Sequence, residues 1–230
     1  MPVSMEKRLK PLADLPEERL MVHEIYASVQ GESTYAGIPC TFIRTTACNL
    51  RCTWCDTAHA FRNGDIMTID EVFDQVSGMG PKLVELTGGE PLLQPAVHPL
   101  MERFLDAGFQ VLLETSGSLD IGGVDPRVVK IIDLKAPGSG EVKSNDWGNI
   151  EKLLPHDEIK FVLQSREDYE WASAVIAEHK LAGRCELLMS TVFDKLTPET
   201  LVEWIMEDNL PVRMQLQMHK YIWDPRQRGV

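Results

Sequence analysis

Short apolar runs alternate with amphipathic helical patterns along most of this chain, and that alternation constrains the fold more than any other feature. Helix start signals stand before three of the helical patterns, at Thr68, Ser165 and Thr197. Such alternation predicts an α/β fold with a mostly parallel sheet and right-handed crossovers. A full barrel, an incomplete barrel and an open doubly wound sheet are all compatible with it. Eight runs rich in β-branched and other apolar residues predict the strands: VHEIYA (22–27), TFIRTT (41–46), KLVELT (82–87), QVLLET (110–115), VKIIDLK (129–135), EIKFVL (158–163), CELLMST (185–191) and VRMQLQM (212–218).

Length and charge narrow the function. A chain of 230 residues with 43% hydrophobic residues can bury one sizeable core, and we predict one core domain over residues 22–230 after an N-terminal leader or cap over residues 1–21. A net charge of −12 without any Lys/Arg cluster argues against nucleic-acid binding. No apolar run approaches the roughly 20 residues of a membrane span, and the N-terminus lacks the apolar core of a signal peptide. We therefore expect a cytoplasmic protein with a small-molecule substrate.

Polar residues follow several of the predicted strands at their carboxyl ends. These are Thr87–Glu90, Glu114–Ser116, Asp133 with Lys135, Ser190–Thr191 and Gln217–His219. In parallel α/β folds this edge of the sheet carries the active site. The repetition predicts one shared site.

Three of the five cysteines, Cys48, Cys52 and Cys55, form the motif C-x3-C-x2-C directly after a predicted strand. Three thiolates on one loop can hold three corners of a cubane iron–sulfur cluster and leave the fourth iron open. The alternative is a zinc site with His59 as fourth ligand, because structural zinc prefers four protein ligands. Cys40 and Cys185 fall in predicted strands, where free cysteine behaves as a small apolar residue, and we assign them no function.

The cysteine loop closely resembles that of the radical S-adenosylmethionine (SAM) enzymes. ELTGGEPLL (85–93), about 30 residues later at a strand end, is similar to the GGE motif of that superfamily. The resemblance implies a [4Fe–4S] cluster and bound SAM. It places Trp54 beside the adenine, Gly89 where SAM approaches the backbone, and Glu90 at the SAM amino group.

Further stretches resemble the 7-carboxy-7-deazaguanine synthase family: EIYASVQGEST (24–34), CDTAHAF (55–61), LLETSGS (112–118) and MQLQMHKYIWDP (214–225). That family implies an incomplete, modified (β/α) TIM-like barrel, a homodimer and dependence on Mg2+. It also implies conversion of 6-carboxy-5,6,7,8-tetrahydropterin into 7-carboxy-7-deazaguanine with loss of ammonia, in the pathway to queuosine and other 7-deazapurines. The expected mechanism is hydrogen abstraction by a 5′-deoxyadenosyl radical and Mg-assisted ring contraction, with an electron donor such as flavodoxin or ferredoxin.

The same resemblance assigns binding roles to individual residues and names no catalytic side chain, since the radical would be generated at the cluster and SAM. Thr57 would bind Mg2+, although a local hydroxyl-to-backbone bond is an alternative. Arg44 suits a substrate carboxylate but could pair with a structural acid, and His219 could be structural. In some relatives the C-terminal carboxylate, here Val230, reaches the substrate. The substrate contacts would be Val29, Gln30, Gly31, Glu32, Arg44, Thr87 and His219, and the remaining SAM contacts Glu114, Ser116, Asp133, Lys135, Met189, Ser190, Thr191 and Val192.

Two other functions compete with this interpretation. A glycyl-radical-enzyme activase would share the cysteine spacing but act on a protein, and the QGE and HKY segments argue against it. A zinc-binding interaction module would bind neither iron nor SAM.

Overall fold

The computed structural model describes residues 4–230, and within that range nine strands form a single sheet that does not close on itself. Its order is β3-β1-β2-β4-β5-β6-β7-β8-β9. Pairing is parallel from β2 through β4 to β9, whereas β1 pairs antiparallel with both β2 and β3. The predicted α/β fold with an incomplete TIM-like barrel is confirmed. The strands span Arg19–Val29 (β1), Pro39–Thr45 (β2), Asp65–Thr68 (β3), Leu83–Gly88 (β4), Gln110–Thr115 (β5), Val129–Asp133 (β6), Glu158–Leu163 (β7), Glu186–Thr191 (β8) and Arg213–Met214 (β9).

Three of the helices begin where the sequence signals predict. Thr68 and Glu71 form a reciprocal capping box, and the Ser165 and Thr197 side chains accept hydrogen bonds from the Asp168 and Thr200 amides. Each cap satisfies an amide that the first helical turn leaves without a partner. The helices span Met5–Leu9 (α1), Ile69–Ser77 (α2), Val97–Asp106 (α3), Arg166–Glu178 (α4), Pro198–Glu207 (α5) and His219–Ile222 (α6).

Two strand predictions need correction. The predicted strand over 212–218 ends at Met214. The Gln215 amide still donates to the Met189 carbonyl of β8 at 2.9 Å, and the chain then turns away, so that the Met218 amide donates to the Gly31 carbonyl at 2.8 Å. The short strand β3 carries no buried residue, so no apolar pattern marked it. It pairs with the start of β1, which begins at Arg19. The predicted domain boundary at residue 22 therefore falls inside β1, and residues 1–3 of the predicted leader lie outside the described residues.

Side-chain alternation divides the sheet into two different faces. On β2, Ile43 packs into the main hydrophobic core beneath the helices, while Cys40 and Phe42 belong to a smaller apolar cluster with Leu83 and Leu112. Because successive residues of a strand point to opposite faces, Arg44 continues the second face toward the carboxyl end of β2. That face is therefore apolar at one end of the strands and polar at the other, which leaves room for a site at the polar end.

Between residues 4 and 230, no helix is both long and apolar enough to cross a membrane.

Replacing Thr68 with Ala should lower the free energy of unfolding by about 1 kcal/mol, because the Glu71 amide loses its cap. Chemical denaturation measures the change. Ser77→Ala, at the exposed other end of the same helix, serves as control and should stay within about 0.5 kcal/mol of the parent. Equal effects of both substitutions would contradict the capping assignment.

Candidate active site

A cavity of about 660 Å³ opens at the carboxyl edge of the parallel strands. Four predicted contacts are not on its wall: Glu90, Met189, Ser190 and Thr191. The Met189 side chain packs in the main hydrophobic core, so only its backbone could approach a ligand. The cavity brings together the other predicted site residues, which are Val29, Gln30, Gly31, Glu32, Arg44, Cys48, Cys52, Trp54, Cys55, Thr57, Thr87, Gly89, Glu114, Ser116, Asp133, Lys135, Val192 and His219.

The cysteine loop leaves the end of β2 and presents all three predicted ligands to this cavity. The Cys48 sulfur accepts a hydrogen bond from the Leu50 amide at 3.3 Å. Burial raises the pKa of Cys48 to about 12 and that of Cys52 to about 11. Both thiols are therefore protonated at neutral pH in the protein alone, and a metal that binds them must displace their protons.

The back of the cysteine loop is held by the segment that follows β6. Glu141 accepts the Arg51 amide at 2.7 Å, and Thr53 donates its amide to the Ser139 carbonyl at 3.0 Å. Arg8, from the N-terminal helix α1, reaches both the Asn49 carbonyl at 2.5 Å and Glu141 at 3.2 Å. These bonds fix the loop residues that lie between the cysteines.

The GGE turn packs directly against the cysteine loop. The Glu90 amide donates to the Ala47 carbonyl at 2.8 Å, and a β-carbon on Gly89 would collide with that carbonyl. The Glu90 carboxylate is buried and accepts hydrogen bonds from the Thr115 hydroxyl at 2.9 Å and the Ser116 amide at 2.8 Å. Glu90 thus ties the turn to the end of β5, and its contact with the SAM amino group stays a prediction.

A second part of the cavity wall is a network of polar side chains: Gln30, Glu32, Glu85, Glu114 and Lys160. The Gln30 side chain donates to Glu85 and accepts from the Glu32 amide at 2.6 Å. Burial, and then the Glu114 carboxylate, raise the pKa of Glu85 well above its usual value. Lys160 donates to both Glu32 and Glu114.

Glu85 and Lys160 were missed at the sequence level, although both stand inside apolar strands. A charged residue in a run such as EIKFVL is unusual, because burying a charge costs free energy unless it is paired. A charged residue inside an apolar strand was therefore the signal that could have marked both residues as functional. Only the fold shows that their side chains lie on the cavity wall.

Arg44 is already paired within the protein. Its Nε donates to Glu24 at 2.7 Å and its Nη2 to the Tyr26 hydroxyl at 2.9 Å. The alternative of pairing with a structural acid is therefore realised, while Arg44 still lines the cavity. Its predicted contact with a substrate carboxylate stays a prediction.

Three further predicted site residues, Lys135, Thr57 and His219, each have a different neighbour within the protein. Lys135 pairs with Asp133 at 2.7 Å beside the cysteine loop. The Thr57 hydroxyl lies 3.7 Å from the Cys55 sulfur. His219 packs against Gly31, where a β-carbon would approach the His219 amide nitrogen to 3.2 Å. Burial lowers the pKa of His219, so its imidazole is neutral at pH 7.

No three His, Cys, Asp or Glu side chains in the part of the chain that the structure describes converge on a point where they could share one metal ion. His59 lies instead beside His23, with ring centroids 5.1 Å apart, and 3.8 Å from Glu24. The geometry therefore does not form the alternative zinc site. A cubane cluster distributes its thiolates over different irons and does not need such convergence.

The C-terminal segment 225–230 also lines the cavity and includes Val230. The predicted contact between the C-terminal carboxylate and a substrate stays a prediction.

Comparisons with known proteins agree with this geometry. The Radical SAM superfamily profile matches residues 42–134, which include the cysteine loop and the GGE turn. By backbone shape, the chain is similar to the crystal structure of QueE from Escherichia coli, with a TM-score of 0.72, 19% identity and coverage of 94% of this chain and 99% of that one. It is also similar to TYW1 with a lysine-pyruvate adduct bound, with a TM-score of 0.58, 15% identity and coverage of 91% and 90%. At these low sequence identities, the two structures indicate a shared fold and nothing about function.

Sequence relatives are more similar and span the whole chain. A 7-carboxy-7-deazaguanine synthase from Koribacter versatilis is 46% identical over 92% of this chain and 100% of its own length. One from Chlorobaculum tepidum is 46% identical over 93% of this chain and 99% of its own. The chain therefore belongs to the 7-carboxy-7-deazaguanine synthase family of radical SAM enzymes.

Proposed function

We propose that this enzyme converts 6-carboxy-5,6,7,8-tetrahydropterin into 7-carboxy-7-deazaguanine with loss of ammonia. One observation carries the proposal: the cysteine loop and the Gln30–Glu32 segment, which come from different strands, line the same cavity. A radical source and a polar heterocycle must meet in one water-poor space for hydrogen abstraction to occur. The family relationship supports this choice of substrate.

The residues present fit a [4Fe–4S] cluster and SAM. Cys48, Cys52 and Cys55 would hold three irons, since all three line the cavity. Gly89 lies on the wall beside them, and its lack of a β-carbon lets the GGE turn pack against the Ala47 carbonyl of the cysteine loop. When bound, the cluster and SAM supply one-electron cleavage of SAM and hydrogen-atom abstraction, at a potential tuned by ligation and surroundings.

The chain itself would orient the heterocycle. The Glu32 and Glu114 carboxylates have lone pairs left after their bonds inside the protein, so they can accept N–H donors of a pterin ring. Gln30 is held in one orientation by Glu85 and the Glu32 amide. The segment 225–230 lies along the cavity and would limit the entry of water.

Thr57 is the residue that would bind Mg2+. Its hydroxyl lies on the cavity wall, and an oxygen donor suits a hard cation. Mg2+ usually keeps several waters and takes few ligands from the protein besides substrate oxygens, so Thr57 would be one ligand among waters and substrate oxygens. When bound, the ion would neutralise charge on the substrate carboxylate.

The same proposal includes a homodimer and a low-potential electron donor of the flavodoxin or ferredoxin kind. The family resemblance supports both. It also supports hydrogen abstraction from C6 followed by ring contraction.

The direct test is anaerobic reconstitution with iron and sulfide, followed by incubation with SAM, dithionite, Mg2+ and 6-carboxytetrahydropterin. Mass spectrometry should detect 7-carboxy-7-deazaguanine. Cys52→Ala should abolish product because one iron loses its ligand. Cys185→Ala is the matched control and should retain activity, because Cys185 is not on the cavity wall. Cleavage of SAM with an untouched pterin would refute the proposed substrate.

Glu141→Ala should weaken retention of the cluster, because the Arg51 amide and Arg8 lose the carboxylate that fixes the back of the loop. Supporting residues around metal ligands typically contribute 10- to 100-fold to metal affinity. We expect the reconstituted variant to lose iron to a chelator about 10-fold faster than the parent. The decay of the cluster's absorbance measures this rate.

Glu151→Ala, at an exposed glutamate away from the cysteine loop, is the control and should release iron at the parental rate. Parental release by Glu141→Ala as well would show that this support does not matter to the cluster.

A further inference from the structure

Lys160 is a charged side chain buried on strand β7, and neither its sequence context nor the family resemblance assigned it a role. Lys160 is only 4% exposed, yet it lines the cavity. Its ammonium group donates to Glu32 at 2.9 Å and to Glu114. Burying an ammonium group this deeply is stable only when it is paired.

The two carboxylates that Lys160 joins come from separate parts of the chain. Glu32 follows β1, and Glu114 lies on β5. Each carboxylate uses its second oxygen elsewhere: Glu32 accepts from the side-chain Nε2 of Gln217 at 2.9 Å, and Glu114 accepts from the Thr87 hydroxyl at 2.9 Å. One ammonium group therefore connects β4, β5, β7, the segment after β1 and the C-terminal segment.

This network also separates Glu114 from the SAM contacts with which the sequence grouped it. Its direct partners are Lys160 and Thr87, and Thr87 is a predicted substrate contact. Through Lys160 it is linked to Glu32, another predicted substrate contact. Glu114 thus belongs with the substrate half of the cavity.

Charge explains why a lysine is needed at this point. Glu32, Glu85 and Glu114 approach one another closely enough for their charges to interact. Although burial opposes it, Lys160 holds the pKa of Glu32 below its usual value. Burial would also lower the pKa of Lys160, but Glu114, Glu32 and Asp133 raise it well above its usual value. The lysine stays charged, and Glu32 stays an acceptor at neutral pH.

We propose that Lys160 is a positioning residue for substrate recognition: it fixes Glu32 and Glu114 side by side as two hydrogen-bond acceptors for a ligand rich in N–H donors. This inference rests on the proposed function for the identity of that ligand, the tetrahydropterin. Lys160 acts through the two carboxylates, so its loss affects binding of the pterin rather than binding of SAM.

Lys160→Met tests the proposal, with Lys130→Met as the matched control. Lys130 is also buried, on the neighbouring strand β6, and pairs with Asp157 at 3.0 Å, but it is not on the cavity wall. Both variants should lose stability. Only Lys160→Met should raise the KM for 6-carboxytetrahydropterin, by about 10- to 100-fold, with cluster iron content and the KM for SAM within about two-fold of the parent.

A pH profile separates positioning from a purely structural role. The charged groups facing Lys160 are Glu32, Glu114, Asp133, Glu85, Asp56 and Lys135, and His219 also faces Glu32. Without the lysine, Glu32 loses the charge that lowers its pKa, so it becomes protonated at a higher pH. The acidic limb of the kcat/KM profile should move upward by about one pH unit in Lys160→Met and stay in place in Lys130→Met.

The double variant Lys160→Met/Glu114→Gln keeps the proposal testable if the single variant does not fold, because it removes one positive and one negative charge together. Its acidic limb should return toward the parental position, while its KM for the pterin should exceed that of Glu114→Gln alone, because Glu32 has lost the ammonium group that fixes it. A parental KM in Lys160→Met, or a KM of the double variant equal to that of Glu114→Gln, would overturn the proposal. Failure of the parent protein to convert the pterin would instead refute the proposed function, which the same assay detects separately.

Discussion

Parallel pairing of β2 and β4–β9 brings the carboxyl ends of these strands to one edge of the sheet, and the active site depends on that constraint. Because side chains alternate along each strand, the face that holds Cys40, Phe42 and Leu83 at one end continues toward the polar groups at the other. The cysteine loop, the GGE turn and the end of β5 leave the sheet at this edge. Residues far apart in sequence thereby share one cavity.

The polar half of the cavity places several carboxyl groups close together, and their mutual repulsion must be compensated. Three glutamates, Glu32, Glu85 and Glu114, lie near one another on the cavity wall, where Glu85 is buried and the other two are partly buried. Lys160 compensates two of them by direct contact, while burial and then the Glu114 carboxylate raise the pKa of Glu85 well above its usual value. The result is a set of fixed acceptors that needs little rearrangement when a ligand with N–H donors binds, which is the kind of preorganisation that catalysis uses.

The sequence predicted those features whose residues lie close together along the chain, and it missed those that depend on distant residues. The caps at Thr68, Ser165 and Thr197 and the motif of Cys48, Cys52 and Cys55 lie within a few residues, so they could be identified directly. The support that Glu141 gives the cysteine loop spans 90 residues, and only the fold brings the two together. The exit of the chain after Met214 also escaped prediction, because the Met218 amide bonds to the distant Gly31 carbonyl and not to a neighbouring strand, as the apolar pattern suggested. Long-range polar contacts of this kind leave no periodic pattern.

The central claim is that the cysteine loop and the polar network hold a radical source and the pterin in contact within one cavity. The most direct measurement uses 6-carboxytetrahydropterin deuterated at C6 with the reconstituted enzyme and SAM, and follows the label by mass spectrometry. The proposed mechanism predicts deuterium in 5′-deoxyadenosine or in recovered SAM, because it begins with abstraction of the hydrogen at C6. Formation of 7-carboxy-7-deazaguanine without deuterium in either compound would contradict it.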